Sequence, residues 1–272
     1  MEVTRPVSSV RKYLLLLRAA YRAQLQYRGN LILTLAGGVA FQGIGFAFIW
    51  VIVERFGSLA GWGMPEISFL YGMRLVSHGL AVVPMNQLDY IALVVRTAEF
   101  DRYLIRPAGI LTQLLTRQLH LPTIGDLCTG LAILLFACSR LRLDWSAMLL
   151  AYLFLALIGG ALVEAAVQLF IASFSFRFLS NQSLMFLLDR IMNDFGGYPM
   201  KIFPSGVRFM LTFVVPLAFV SYIPVDALLH QAGSSPVSRI LMLSAPLVGP
   251  LLFWLSYSFW KNQLRHYSSS GS

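Results

Sequence analysis

Four ionisable side chains interrupt otherwise apolar segments of this chain: Arg74, His78, Asp126 and Glu164. Charge at membrane depth is costly and tends to face a bundle interior or water, where it serves a pathway or a proton relay. Arg74 and His78 are four residues apart and share one helix face, as do Glu164 and Gln168. Arg74 and Glu164 are therefore candidates for the lining of a pathway. The competing reading is that such groups pair with one another and fix the packing.

Other chemistries find less support. His120 and Asp126 flank one apolar segment, six residues apart and on different faces of a helix. A zinc site needs three or four ligands, and His120, His230 and His266 fall in segments assigned to different sides or ends. Cys128 and Cys138 lie in one segment, and ten residues of helix separate them by about 15 Å, too far for a disulfide. A P-loop requires Gly-Lys-Ser/Thr to cradle phosphates. The three lysines, Lys12, Lys201 and Lys261, follow Arg, Met and Trp. The chain is thus expected not to be an enzyme and to carry no metal or cofactor of its own.

The elements that must position these groups follow from composition. The chain has 272 residues, of which 57% are hydrophobic and 12% charged, against roughly 25% charged in a soluble domain. So few polar residues cannot cover a water-exposed surface, and the composition indicates an integral membrane protein. The net charge of +9 fits the excess of Lys and Arg in cytoplasmic loops better than a nucleic-acid surface, and no nucleic-acid partner is expected.

A membrane helix needs about 20 mostly apolar residues. Residues 29–53, 122–139, 145–174 and 241–260 qualify readily. Residues 207–228 qualify but contain Pro216 and Pro224, and residues 67–83 contain Arg74 and His78. With the N-terminus inside, fifteen Lys and Arg fall in cytoplasmic segments and four in the outside loops, Arg55, Arg140, Arg142 and Arg239. That bias supports six spans with both termini cytoplasmic in the cell membrane. Residues 179–199 form a further plausible helix bearing Asp189, Arg190 and Asp194. Charge favours placing it near the cytoplasmic face. The alternative is that it spans the membrane and residues 207–228 dip in and return. Residues 1–28 read as a basic amphipathic helix lying at the membrane surface, with Arg11, Arg18 and Arg22 on one face and Leu14, Leu17 and Tyr21 on another. The organisation is thus all-α: the interfacial helix 1–28, then a single transmembrane domain over 29–272.

The densest charge stands in AEFDRYLIRP, residues 98–107, on the long loop 85–117 after the second span. Its spacing is helical, and Pro107 stops the helix. A loop that only joined two spans could be about four to eight residues. A long, structured loop with both signs of charge suits docking of a cytoplasmic partner, where mixed charge sets register.

The same stretch resembles the G-x-[LF]-D-x-x-L-x-R-P element of the permease subunits of type-2 ATP-binding-cassette (ABC) exporters, in the six-span branch of about 260 residues. GWGMPEISFLYGM (61–73) resembles the branch's entry to the second span. GGYPMKIFPSGVRFMLTFVVPLAFVSYIPVDALL (196–229) resembles its YP-x-x-I-[YF] and P-x-A-F-x-x-x-x-P elements. FWKNQLRHYSSSGS (259–272) resembles its W-x-x-G-L-R-x-Y-x-S-x-G tail. The resemblance covers nearly the whole chain. It implies an ATP-driven exporter subunit that pairs with a second permease subunit, a heterodimer being favoured over a homodimer. It implies two copies of a separate cytoplasmic ATPase that bring ATP and magnesium. The stretch after the second span would be the coupling helix, with Glu99, Phe100, Asp101, Arg102, Tyr103, Arg106 and Pro107 at the ATPase. A lipophilic or drug-like substrate would leave through the dimer interface. The alternative from the residues themselves is an ion- or proton-coupled secondary transporter using Glu164 or Asp126. Such proteins usually show internal repeats, and none is visible between the halves of this chain.

Overall fold

The computed structural model describes residues 18, 28–107, 109–117, 120–141, 143–178, 181–229 and 239–267. The amphipathic helix expected over 1–28 lies outside the described residues, apart from Arg18 and Arg28.

Every element among the described residues is helical. Long helices are α1 (Arg28–Phe56), α2 (Met64–Met85), α6 (Leu121–Arg140), α7 (Ala147–Ser173) and α11 (Arg239–Leu264). Helix α2 continues through a 3₁₀ turn, Asn86–Tyr90, into α3 (Ile91–Arg96). The short α4 (Asp101–Leu104) and α5 (Ile110–Leu115) follow it. Later come α8 (Gln182–Phe195), α9 (Ser205–Phe209) and α10 (Tyr222–Leu229). Five helical segments among the described residues are long and apolar enough to cross a membrane: Arg28–Phe56, Met64–Arg96, Pro122–Arg140, Ala147–Phe176 and Ile240–Leu264. Backbone polar groups in hydrocarbon must be satisfied within the segment, and helices do this alone.

Burial ranks these segments. The most apolar window of Met64–Arg96 is 83% buried, whereas those of Arg28–Phe56 and Ile240–Leu264 are 17% and 22% buried. Met64–Arg96 is therefore the central post of the bundle, which explains how it tolerates Arg74 and His78. The outer pair present Ile32, Phe41, Phe48, Leu247 and Trp254 outward, as lipid-facing or subunit-facing helices must.

Close approach requires glycine at two crossings. A Cβ on Gly72 of α2 would stand 2.7 Å from the Leu134 nitrogen of α6. A Cβ on Gly249 of α11 would overlap the Gly159 carbonyl of α7, and Gly159 in turn meets Pro246. The small residues of LIGGALVEAA (157–166) thus serve packing within the chain, between α7 and α11 and against Val220.

The expected span over 207–228 is not one helix. Helix α9 passes into a π-helical turn, Met210–Val214, breaks at Val215 and Pro216, and resumes through a 3₁₀ turn, Leu217–Phe219, into α10. Proline removes an amide donor and clashes with the preceding turn, so Pro216 ends the first piece. The helix over 179–199 differs from the charge-based placement at the cytoplasmic face. Met185 of α8 packs in the cluster beneath the 99–107 stretch, but Met192 joins the main core. Gly196 then lies against the Arg74 side chain, and Gly197 against Tyr71, halfway along α2. Helix α8 therefore enters the bundle, and the broken segment after it returns. The hydroxyl of Ser221 closes the join by donating to the Gly196 carbonyl at 3.2 Å.

Candidate functional site

Two sets of residues were singled out from sequence, and the structure places them at the same end of the bundle.

The first is the stretch 98–107. Helix α3 presents Ile91, Val94 and Val95 inward, and the chain must then reverse to bring 99–107 back over α7. Ala98 makes that reversal with φ +56°, a left-handed conformation in which a Cβ costs roughly 1–2 kcal/mol. The Phe100 amide then donates to the Val94 carbonyl at 3.1 Å. The Phe100 side chain is fully buried, its ring 5.2 Å from that of Phe176 and 4.7 Å from that of Tyr267. Phe176 meets Trp260 at 4.8 Å. The ends of α7 and α11 thereby join α4 in one aromatic cluster. Tyr103 is buried too, and its carbonyl accepts from Gln113 Nε2 of α5 at 3.1 Å.

The seven residues expected at a partner therefore divide. Phe100 and Tyr103 are turned into the chain's own core. Asp101 accepts a hydrogen bond from the Tyr267 hydroxyl at 2.9 Å. Glu99 pairs with Arg117 at 3.1 Å on the surface, a contact of about 0–1 kcal/mol. Arg102, Arg106 and Pro107 are exposed. Between them stand two apolar side chains not singled out from sequence, Leu104 at 48% and Ile105 at 84% exposure. Leu104 and Ile105 thus stand exposed between Arg102 and Arg106. The sequence signal was present in the apolar residues of YLIRP, but their direction depended on which way Phe100 pointed.

The second set surrounds a cavity of about 320 Å³ between α1, α2, α6, α7 and α8. His78 Nδ1 meets Glu164 Oε1 at 2.6 Å, both side chains nearly inaccessible. The two sequence pairs, Arg74 with His78 and Glu164 with Gln168, do not bond within themselves. His78 crosses to Glu164, Gln168 Nε2 donates to Asp89 Oδ1 at 3.0 Å, and Arg74 Nη2 donates to Asn193 Oδ1 at 2.6 Å. Asp126 and Gln42 of α1 line the cavity together. Glu164, His78 and Asp126 line the cavity, whereas Arg74 stands behind Asn193. Asp89 and Asp189 also line it. Sequence reading passed over these two as lining groups, because Asp89 sits at a span end and α8 was placed at the surface. At the mouth, burial and the neighbouring His78 push the His120 imidazole below its ordinary range, against the pull of Asp189. Among the described residues, no three His, Cys, Asp or Glu side chains could hold one metal ion.

The profile of the ABC-2 family transporter proteins matches residues 39–271. The chain belongs to the ABC-2 transporter family. No curated protein and no solved structure matches it. Membership makes this ABC-2 protein a multi-pass membrane component of an ABC transporter, one that transports rather than catalyses and that works with an ABC ATPase and with lipid. The matched region takes in both the polar cavity and the 98–107 turn.

Proposed function

We propose that this ABC-2 protein is the permease subunit of an ATP-driven exporter, and that the 99–107 turn is its coupling helix. The observation that carries the reading is the division of that turn into a buried half and an exposed half. Phe100 and Tyr103 lock it to the ends of α7 and α11, while Arg102, Leu104, Ile105, Arg106 and Pro107 face outward. A part that must transmit force needs both a rigid seat and a free face.

On this reading ATP and magnesium are bound and hydrolysed by a separate cytoplasmic ATPase, two copies per transporter. The 99–107 end of the bundle is cytoplasmic, as are both termini, and the protein sits in the cell membrane. Two permease subunits, different rather than identical, meet along lipid-grade surfaces such as those of α1 and α11. A small, lipophilic or drug-like substrate enters from the cytoplasmic end and leaves outward. ATP binding favours one arrangement of the ATPase pair, and the energy difference between the two arrangements is what shifts the bundle.

The test is co-expression with the neighbouring ATPase gene, followed by purification through this chain in mild detergent. The ATPase is expected to copurify with the wild-type chain and to be lost with Ile105→Asp or Arg106→Glu. Retention of the ATPase by both variants would remove the coupling role from this turn.

A further inference from the structure

The cavity between α1, α2, α6, α7 and α8 carries a chemistry of its own. At about 320 Å³ it lies at the lower end of the roughly 300–1,000 Å³ range of small-molecule sites. Four carboxyl side chains line it, Asp89, Asp126, Glu164 and Asp189, and no Lys or Arg does. Two histidines are present. One, His78, is taken by Glu164, and the other, His120, is pushed toward its neutral form by burial. Gln168 also lines the cavity and is about nine-tenths buried. Its Nε2 is committed to Asp89, and its Oε1 accepts no hydrogen bond.

These features select among ligands. An anion would meet carboxylates and few donors. A purely apolar molecule would strip water from four carboxyl groups without replacing it, which is costly. A bare metal ion would need three ligands drawn together, and the described residues hold no such group. An amine cation fits what remains. An ammonium group has donors only and asks for several acceptors around a charge of opposite sign. Asp89 has two hydrogen bonds, from Gln168 and Asn86, and a carboxylate offers about four lone-pair sites.

We propose that this cavity is a binding site for a small organic cation, an amine whose ammonium group is held by Asp89, with Asp126 and Asp189 adding negative charge to the lining. Glu164 keeps its place through His78. The proposal rests on the transporter reading for the fate of the bound cation, but the binding itself needs no ATPase.

The test is a titration of the detergent-solubilised full-length chain, free of nucleotide, with two probes of one shape. The first is 1-adamantylammonium, which is cationic, and the second is 1-adamantanol, which is neutral. The ammonium is expected to bind at least tenfold more tightly than the alcohol. Asp189 is exposed on α8, so Asp189→Asn should leave the fold intact and weaken the ammonium at least threefold. Asp89→Asn should weaken it at least tenfold, with the alcohol unmoved in both. Equal affinity for the two probes, or an ammonium affinity that ignores both substitutions, would overturn the site. Because no ATPase is present, that failure leaves the coupling surface standing. Loss of ATPase copurification at Ile105 is likewise a separate result.

Discussion

The hydroxyl of Tyr267 donates to Asp101 Oδ1 at 2.9 Å, joining the end of the chain to the turn after the second span across 166 residues. The Tyr267 ring simultaneously lies on Phe100. Tyr267→Phe keeps the ring and removes the hydrogen bond, and the expected loss is about 1.5–3 kcal/mol, the worth of a bond to a charged group. Tyr267→Ala removes both and should lower the amount of ATPase that copurifies. A double-mutant cycle of Tyr267→Phe with Asp101→Asn, read by thermal unfolding in detergent, checks the coupling. Additive effects would mean that the bond contributes nothing.

Ala98 is held at φ +56°. Ala98→Gly should raise stability by roughly 0.5–1 kcal/mol, the relief of left-handed strain less the greater chain entropy of glycine. Ala98→Val should lower it. A reversed order in thermal unfolding would show that the turn is not left-handed in solution.

The anchoring and outward halves of the turn separate by readout. Phe100→Ala empties a fully buried site and should cost about 3–5 kcal/mol, lowering the unfolding temperature. Ile105→Asp touches a side chain that is 84% exposed and should leave that temperature within about a degree while abolishing ATPase copurification. A large thermal loss from Ile105→Asp would break the distinction.

His78 and Glu164 are buried together. Removing one partner strands the other, at an expected cost of about 3–5 kcal/mol. Glu164→Leu and His78→Leu should each be strongly destabilising, and the double variant should recover much of the loss. Singles that match wild type would place water, not a closed core, around this pair.

Gly249 and Gly159 let α11 and α7 touch backbone to backbone. Gly249→Val overpacks that crossing and should cost about 1–3 kcal/mol. Expression and thermal unfolding both report it, and a neutral outcome would show the two helices free to separate.

Much of this was legible in the order of residues. Hydropathy located the long helices because a continuous apolar run near membrane length has few other solutions, and Met64–Arg96 emerged despite Arg74 and His78. The 98–107 turn was legible as charge in a poor background. What sequence alone left open was direction. Nothing local in EFDRYLIRP says that Phe100 turns toward Phe176, and so Leu104 and Ile105 were not distinguished from ordinary apolar residues. The partners of His78 and Arg74 lie 86 and 119 residues away, beyond any spacing rule. Helix α8 was misplaced because its charges argue for the surface, whereas only its final turn reaches Arg74 and Tyr71. The break at Val215–Pro216 was foreshadowed by the prolines, but the return path depended on the niche beside Gly160.

The α7–α11 crossing has a mechanical side. With carbonyl against Cα there is no layer of side chains to slip, so the two helices form one stiff beam. Trp260 and Phe176 clamp its near end to the turn. Helix α11 runs 26 residues, about 39 Å at 1.5 Å per residue. A tilt of about 5° imposed at the clamped end would then appear as a sweep of about 3 Å at the tip, by the geometry of a rod of that length. Slight strokes at the turn would reach the far side of the bundle without being absorbed on the way.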